Sequence, residues 1–394
     1  MNRGCGEMSF RKTGAQRGTS MRRLLAAAVI VLSCLVSGCS TFAYYAQAVS
    51  GHFEMIGQAR PLDAVERDPA TPERLKERLA LAREIREFAS RELGLPDNGS
   101  YRRYADIGRP FVVWNVFSTP EFSIEPIEHC FPVAGCVVYR GYYAEADARR
   151  EAAREAALGR DAYVGGVPAY STLGWFDDPL LSSFVFQPEV ELARLIFHEL
   201  AHQVAYASSD SVFNESFASV VEEEGVRRWL AQRAGSPRTP SGGAAGAASF
   251  QQYEIARARR HAFTDLLLGY RARLKTLFNS PGDDASRRRG KAALFSALAE
   301  DYARLKASWD GFPGYDRIMA GANNALLASV ASYNALVPAL SELLDRQQRD
   351  LPAFYREVKA LARLTKAERM KRFGLKPEQD PVARRIEHPL AWKA

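Results

Sequence analysis

Apolar residues fall into three patterns along this 394-residue chain. Residues 24–32 are apolar without a break, directly behind Met21-Arg22-Arg23. Residues 111–118 and 137–143 are short β-branched and aromatic runs and predict strands. Residues 163–172 predict another, broken by Gly165, Gly166 and Pro168. Between them, residues 144–158 are alanine-rich and charged, which predicts a helix. Elsewhere apolar residues recur at helical spacing. Leu75, Leu79, Leu81, Ile85 and Phe88 mark an amphipathic helix over 72–94, stopped by Gly94 and Pro96. From residue 189 on the chain reads as helical: 189–207, 211–233, 250–278, 286–309, 323–346 and 351–364. Asn279-Ser280-Pro281-Gly282 joins the third and fourth as an antiparallel hairpin. Residues 235–248, rich in Gly, Pro, Ser and Ala, predict a flexible loop. The fold class expected is α+β, predominantly α, with a small antiparallel sheet and no internal repeat.

The apolar run at 24–32 is short for a membrane span and follows basic residues, as in a secretory signal. It ends in Val36-Ser37-Gly38-Cys39. That tetrapeptide resembles the lipobox of bacterial lipoproteins, which implies acylation of the Cys39 thiol. Residues 1–38 are then a signal peptide, with 1–20 upstream of a true start at Met21. Ser40 follows the cysteine where an Asp would retain the protein at the inner membrane. The resemblance implies a lipid anchor in the outer membrane, facing the periplasm.

Charge changes once that segment is set aside. The whole chain carries +7, and residues 1–38 hold six basic side chains against Glu7. The remainder is close to neutral, which gives no footprint for nucleic acid. Cys130 and Cys136 are the cysteines left, an even number, and predict a disulfide across a tight hairpin.

The sharpest chemical signal is His198-Glu199-Leu200-Ala201-His202. On a helix, residues i and i+4 share a face, so both imidazoles can aim at one metal ion. Leu192, Leu195, Ile196, Leu200 and Val204 supply that helix with a buried side. Glu199 lies beside the first histidine, within reach of a water. A catalytic zinc needs a third protein ligand, and Glu215 at the start of the next helix is the candidate. His-Glu-Leu-Ala-His-Gln followed by Asn-Glu-Ser-Phe-Ala-Ser resembles the gluzincin metallopeptidases. The resemblance implies a zincin-like fold with Zn2+ on His198, His202 and Glu215, and Glu199 as general base. It also implies supporting roles for Asn214 and for Glu222, which could orient His198.

Further segments extend the likeness. Cys130 to Tyr142, then Ala169-Tyr170-Ser171-Thr172-Leu173-Gly174-Trp175-Phe176, then Asn323-Asn324-Ala325 and Val337-Pro338-Ala339, are similar to a family of bacterial lipoproteins named as zinc aminopeptidases. In gluzincins a strand beside the active-site helix binds the substrate backbone, which implies 165–172 here, with Ala169, Tyr170 and Ser171 as contacts. Tyr333, with Tyr170 as a rival, is the candidate oxyanion donor.

The expected organisation is a tether and N-terminal segment at 39–71, a catalytic domain at 72–234, the loop at 235–248, and a helical region at 249–394 that completes the cleft. The expected activity is zinc-dependent peptide hydrolysis in the bacterial envelope, as an aminopeptidase. Two alternatives stand: an endopeptidase of envelope proteins, and a metal-binding lipoprotein without turnover. The strand at 165–172 contains no acid to capture a free α-amine. Oligomeric state is not legible.

Overall fold

The computed structural model describes residues 44–131, 135–234 and 244–374. The signal peptide and Cys39 lie outside the described residues. The chain divides into two compact units, Met1–Phe53 and Glu54–Ala394. In the first, residues 44–53 are helical. The segment read as a tether therefore divides, because Met55, Ala59, Leu62 and Val65 are buried in the core of the second unit.

That unit opens with helical residues 54–58, followed by β1 (Arg60–Pro61), α1 (Leu62–Arg67) and α2 (Glu73–Leu93), then β2 (Arg103–Ala105) and β3 (Val113–Pro120). A hairpin of β4 (His129–Phe131) and β5 (Gly135–Val137) precedes β6 (Arg140–Tyr142). Next come α3 (Glu145–Ala157), β7 (Arg160–Val167) and β8 (Leu180–Leu181). The rest is helical: α4 (Glu189–His202), α5 (Ser211–Ala234), α6 (Ala244–Asn279) and α7 (Asp284–Ala307). Five helices follow: α8 (Asp316–Met319), α9 (Asn324–Asn334), α10 (Val337–Arg346), α11 (Leu351–Ala362) and α12 (Lys366–Arg372). The fold is α+β and mainly α, as the apolar pattern predicts.

The main sheet has the order β6-β3-β7 and is antiparallel throughout. Gly165 and Gly166 do not break β7, contrary to expectation. They pair with Asn115 and Trp114, and the Phe111 ring lies where a Cβ on Gly166 would sit. The strand ends instead at Val167, before Pro168, whose missing N–H cannot extend a ladder. Residues 168–172 are therefore not strand. A second sheet pairs β1 with β2 antiparallel and β2 with β8 parallel. These strands of two or three residues carry too little pattern to be read in advance.

Three helix boundaries also differ. α4 ends at His202, not near 207, and the chain turns through 203–210. α6 starts at Ala244, inside the stretch expected to be a loop. The helix expected over 323–346 is two helices, α9 and α10. Pro338, in the first turn of α10, has no N–H to continue the ladder. The Leu336 N–H turns aside and donates to Ser216 Oγ on α5 at 3.1 Å.

α4 and α5 cross at the centre of the core. Phe197 is fully buried there against Phe88 of α2. Gly225 of α5 permits the approach, since a Cβ would fall 2.6 Å from the Phe197 ring and 2.8 Å from Leu93. Asn323 and Asn324 dock α9 on the sheet. Asn323 caps Leu326 N and reaches Ala162 O, while Asn324 Nδ2 donates to the carbonyls of Glu121 and Ser123.

Candidate metal centre

α4 places His198 and His202 one turn apart on one face, with ring centroids 4.9 Å apart. The opposite face, Leu192, Leu195, Ile196 and Leu200, is buried and fixes how the helix is rotated. The chain then turns through 203–210 and returns as α5. Two side chains shape that turn. Asp210 Oδ1 accepts from the Phe213 N–H at 3.1 Å. Asn214 clamps the Ala207 peptide, accepting from its N–H at 2.7 Å and donating to its carbonyl at 2.9 Å. Asn214 thus holds the loop and sets where the next residue, Glu215, begins.

Glu215 Oε2 lies 3.2 Å from His198 Nε2 and 3.7 Å from His202 Nε2. Ligand atoms of the three residues fall within 4.8 Å of one another, so the cluster can hold a metal ion. The donor set fits zinc, with two imidazole nitrogens and one carboxylate oxygen. His202 turns its Nε2 towards Glu215, while its Nδ1 is buried without a hydrogen-bond partner among the described residues. The fit to a metal rests on the three converging ligand atoms.

Behind His198 stands Glu222, whose Oε2 is 2.8 Å from Nδ1. Arg194 grips both oxygens of Glu222 at 3.0 Å each and reaches Glu191 through Nε at 2.8 Å. Arg260 of α6 approaches the same two carboxylates, at 3.3 Å from Glu191 and 3.9 Å from Glu222. Arg194 was not singled out from sequence. Its spacing, four residues before His198, is the signal that places it over that histidine's outer side.

Burial and charge act against each other here. Burial would lower the His198 pKa, but the hydrogen bonds to Glu215 and Glu222 raise it well above the ordinary value. His202 is lowered, chiefly by burial. Burial pushes Glu199 up, opposed by His198 and helped by Glu215. Burial also works on Glu222, but Arg194 and His198 hold it down. Glu199 makes no side-chain hydrogen bond among the described residues, so it is a buried carboxylate free to accept one.

The tyrosines separate. Tyr333 of α9 is half-buried and feels the charges of Glu215 and Glu199, which with burial raise its pKa. Tyr206, in the turn, also feels Glu215. Tyr170 instead accepts from the Tyr143 hydroxyl at 2.7 Å, and Asp178 and Arg109 are the charges that bear on it most. Ala169 is 2% exposed, and with Ser171 it lies in the loop after β7. The loop is tied down by buried Asp178, which accepts from the Thr172 N–H and hydroxyl and from Gln203 Nε2. Gln203 directly follows His202, so the loop is anchored to the end of α4.

Cys130 and Cys136 face each other across β4 and β5 and form a disulfide. The Cys136 N–H donates to Ser209 Oγ at 3.0 Å, in the turn between α4 and α5. The hairpin therefore seats on the loop that delivers Glu215.

A family model described as "Putative aminopeptidase" matches residues 43–373. The chain belongs to that aminopeptidase family. By family it is a peptidase, a hydrolase of peptide bonds. The match spans every element from β1 to α12, so the residues at the centre and those that clamp it fall inside the family region. No curated protein and no solved structure matches the chain.

Proposed function

We propose that the chain is a zinc-dependent aminopeptidase of the bacterial envelope. The observation that carries this reading is the convergence of His198, His202 and Glu215, with buried Glu199 next in sequence to His198 and without a hydrogen bond among the described residues. His198, His202 and Glu215 would hold the ion, and Glu222 would orient His198. Zinc supplies Lewis acidity, which acidifies water and polarises a carbonyl. Glu199 takes the proton of the attacking water and hands it to the leaving amine as the C–N bond breaks. Tyr333 is the donor for the oxyanion, and Tyr206 is the other phenol near Glu215. Ala169, Tyr170 and Ser171 line the approach, with backbone groups as the substrate contacts. The Cys39 lipid tether and the outer-membrane location belong to the same proposal.

One observation favours a second reading. β7 carries Asp161 at its far end only, and Asp178 is occupied by Thr172 and Gln203. A substrate amine therefore has no dedicated carboxylate on that strand, which suits an endopeptidase. A peptide-library digest by the zinc-loaded protein decides between them. Release of the first residue alone upholds the aminopeptidase, and internal cuts replace it with the endopeptidase. Glu199→Gln should abolish hydrolysis while zinc content stays the same. A wild-type protein that binds zinc and cleaves nothing in the library would leave only a metal-binding lipoprotein.

A further inference from the structure

A cleft of about 560 Å³ opens between α6, the first turn of α4 and the turn after α7. Ile255 and Phe312 give it apolar walls, and Glu191, Arg259 and Arg260 give it charge. Tyr315 also lines it, stacked on buried Phe263 with ring centroids 4.1 Å apart. The turn owes its shape to Asp310 and Gly311, whose φ values of 55° and 77° reverse the chain after the helix. The reversal sets the Phe312 ring under the Arg259 guanidinium, 4.6 Å from centroid to Cζ. Ile255 and Phe312 remain 45% and 37% exposed, so the cleft offers apolar surface to a ligand.

The two arginines differ. Arg260 is engaged inside the fold, 3.3 Å from Glu191 and 3.9 Å from Glu222. Arg259 has no carboxylate partner among the described residues. It reaches the Trp309 carbonyl at 3.5 Å, a long bond for a group with several N–H donors. Two guanidiniums against one carboxylate leave the lining with a net positive charge. A guanidinium stacked on a ring keeps its N–H edge for a carboxylate. The cleft is also separate from the metal centre. It reaches His198 only by way of Arg260 and Glu222, on the Nδ1 side, whereas Glu215 meets Nε2.

We propose that this cleft binds the α-carboxylate of an amino-acid residue with an aromatic or branched apolar side chain. Arg259 pairs with the carboxylate, and Ile255 and Phe312 hold the side chain above Tyr315. The volume lies within the range of small-molecule sites, about 300–1,000 Å³. Two sources carry this chemistry: a free amino acid and the C-terminal residue of a peptide. A peptidase meets both, one as product and one on its substrate. The site requires neither zinc nor turnover, so it stands or falls apart from the proposed function.

The test is calorimetric titration of the full chain with phenylalanine, N-acetylphenylalanine and N-acetylphenylalanine amide. The amide keeps the ring and lacks the charge, and should bind about tenfold more weakly than the carboxylate ligand. Arg259→Gln should weaken that ligand about tenfold and leave the melting temperature unchanged. Ile255→Glu is a second variant that favours folding. Its carboxylate stands four residues before Arg259 on the same helix, pairs with it and occupies the cation from within. It should cost about tenfold in binding while the melting temperature holds. Free phenylalanine binding at least as tightly as the acetylated form identifies the amino acid as the ligand, and tighter binding of the acetylated form identifies the peptide C-terminus. Either result upholds the site. No binding of either carboxylate up to about 10 mM, or equal binding of the amide, overturns it. Binding that survives undiminished in both variants belongs to another place, the metal centre included, and overturns it too.

Discussion

His198 faces two carboxylates, Glu215 on one ring nitrogen and Glu222 on the other. Only the second is free to stay once a metal takes Nε2, and it then fixes the tautomer and the ring plane. Arg194 keeps Glu222 in that pose through a two-oxygen grip. Glu222→Gln should weaken zinc binding about tenfold to a hundredfold, and Arg194→Met about tenfold, in competition with a chelating indicator. Equal affinity in all three proteins would show that the pair only packs. This relay reaches α6 through Arg260, so the long helical hairpin bears on the centre. Sequence alone left that hairpin without a task.

At the scale of elements, the loop after β7 is set by one buried acid. Burial raises Asp178 to about 6, against hydrogen bonds from Thr172 that pull the other way. The folded chain therefore holds this proton more tightly than the unfolded chain, whose Asp has its ordinary value near 3.8. Stability from this group is full below about pH 4 and declines as pH rises towards 6. Wild type should therefore lose about 2–3 kcal/mol relative to Asp178→Asn between those pH values, read from urea unfolding. A constant difference across that range would mean that Asp178 ionises normally. The same loop shows where sequence reading ran short. Helices were legible because apolar spacing repeats over many residues: α2, α3 and α5 fall close to their expected bounds, while α4 ends five residues early, at His202. The two histidines were legible for the same reason, since helical spacing fixes which side chains meet, whereas Glu215 was legible from its place in the Asn-Glu segment that opens the next helix. The end of β7, the break at Leu336 and the pairing of β2 with β8 depend on single prolines or on distant partners. Local periodicity does not carry such information.

Across the whole molecule, α12 is stitched to the turn between α4 and α5. Arg369 is 2% exposed, donates to Asp210 Oδ2 at 3.0 Å and to the Leu361 carbonyl at 2.7 Å, and lies over the Phe213 ring. Removing one partner of a buried pair strands the other, which costs about 3–5 kcal/mol. Arg369→Met should lower stability by that amount in denaturant unfolding and should also loosen zinc binding. A loss under about 1 kcal/mol would mean that water reaches Asp210 and replaces the arginine.

Asp210 is the residue that caps α5, and the Leu336 N–H that braces Ser216 comes from the gap between α9 and α10. Both braces arrive late when the chain is synthesised from its amino end. The chain carries His198, His202 and Glu215 well before it carries Leu336 or Arg369. The turn that presents Glu215 therefore takes these two braces from segments far downstream in the sequence, so a truncation that spares all three residues still strips the turn of its support.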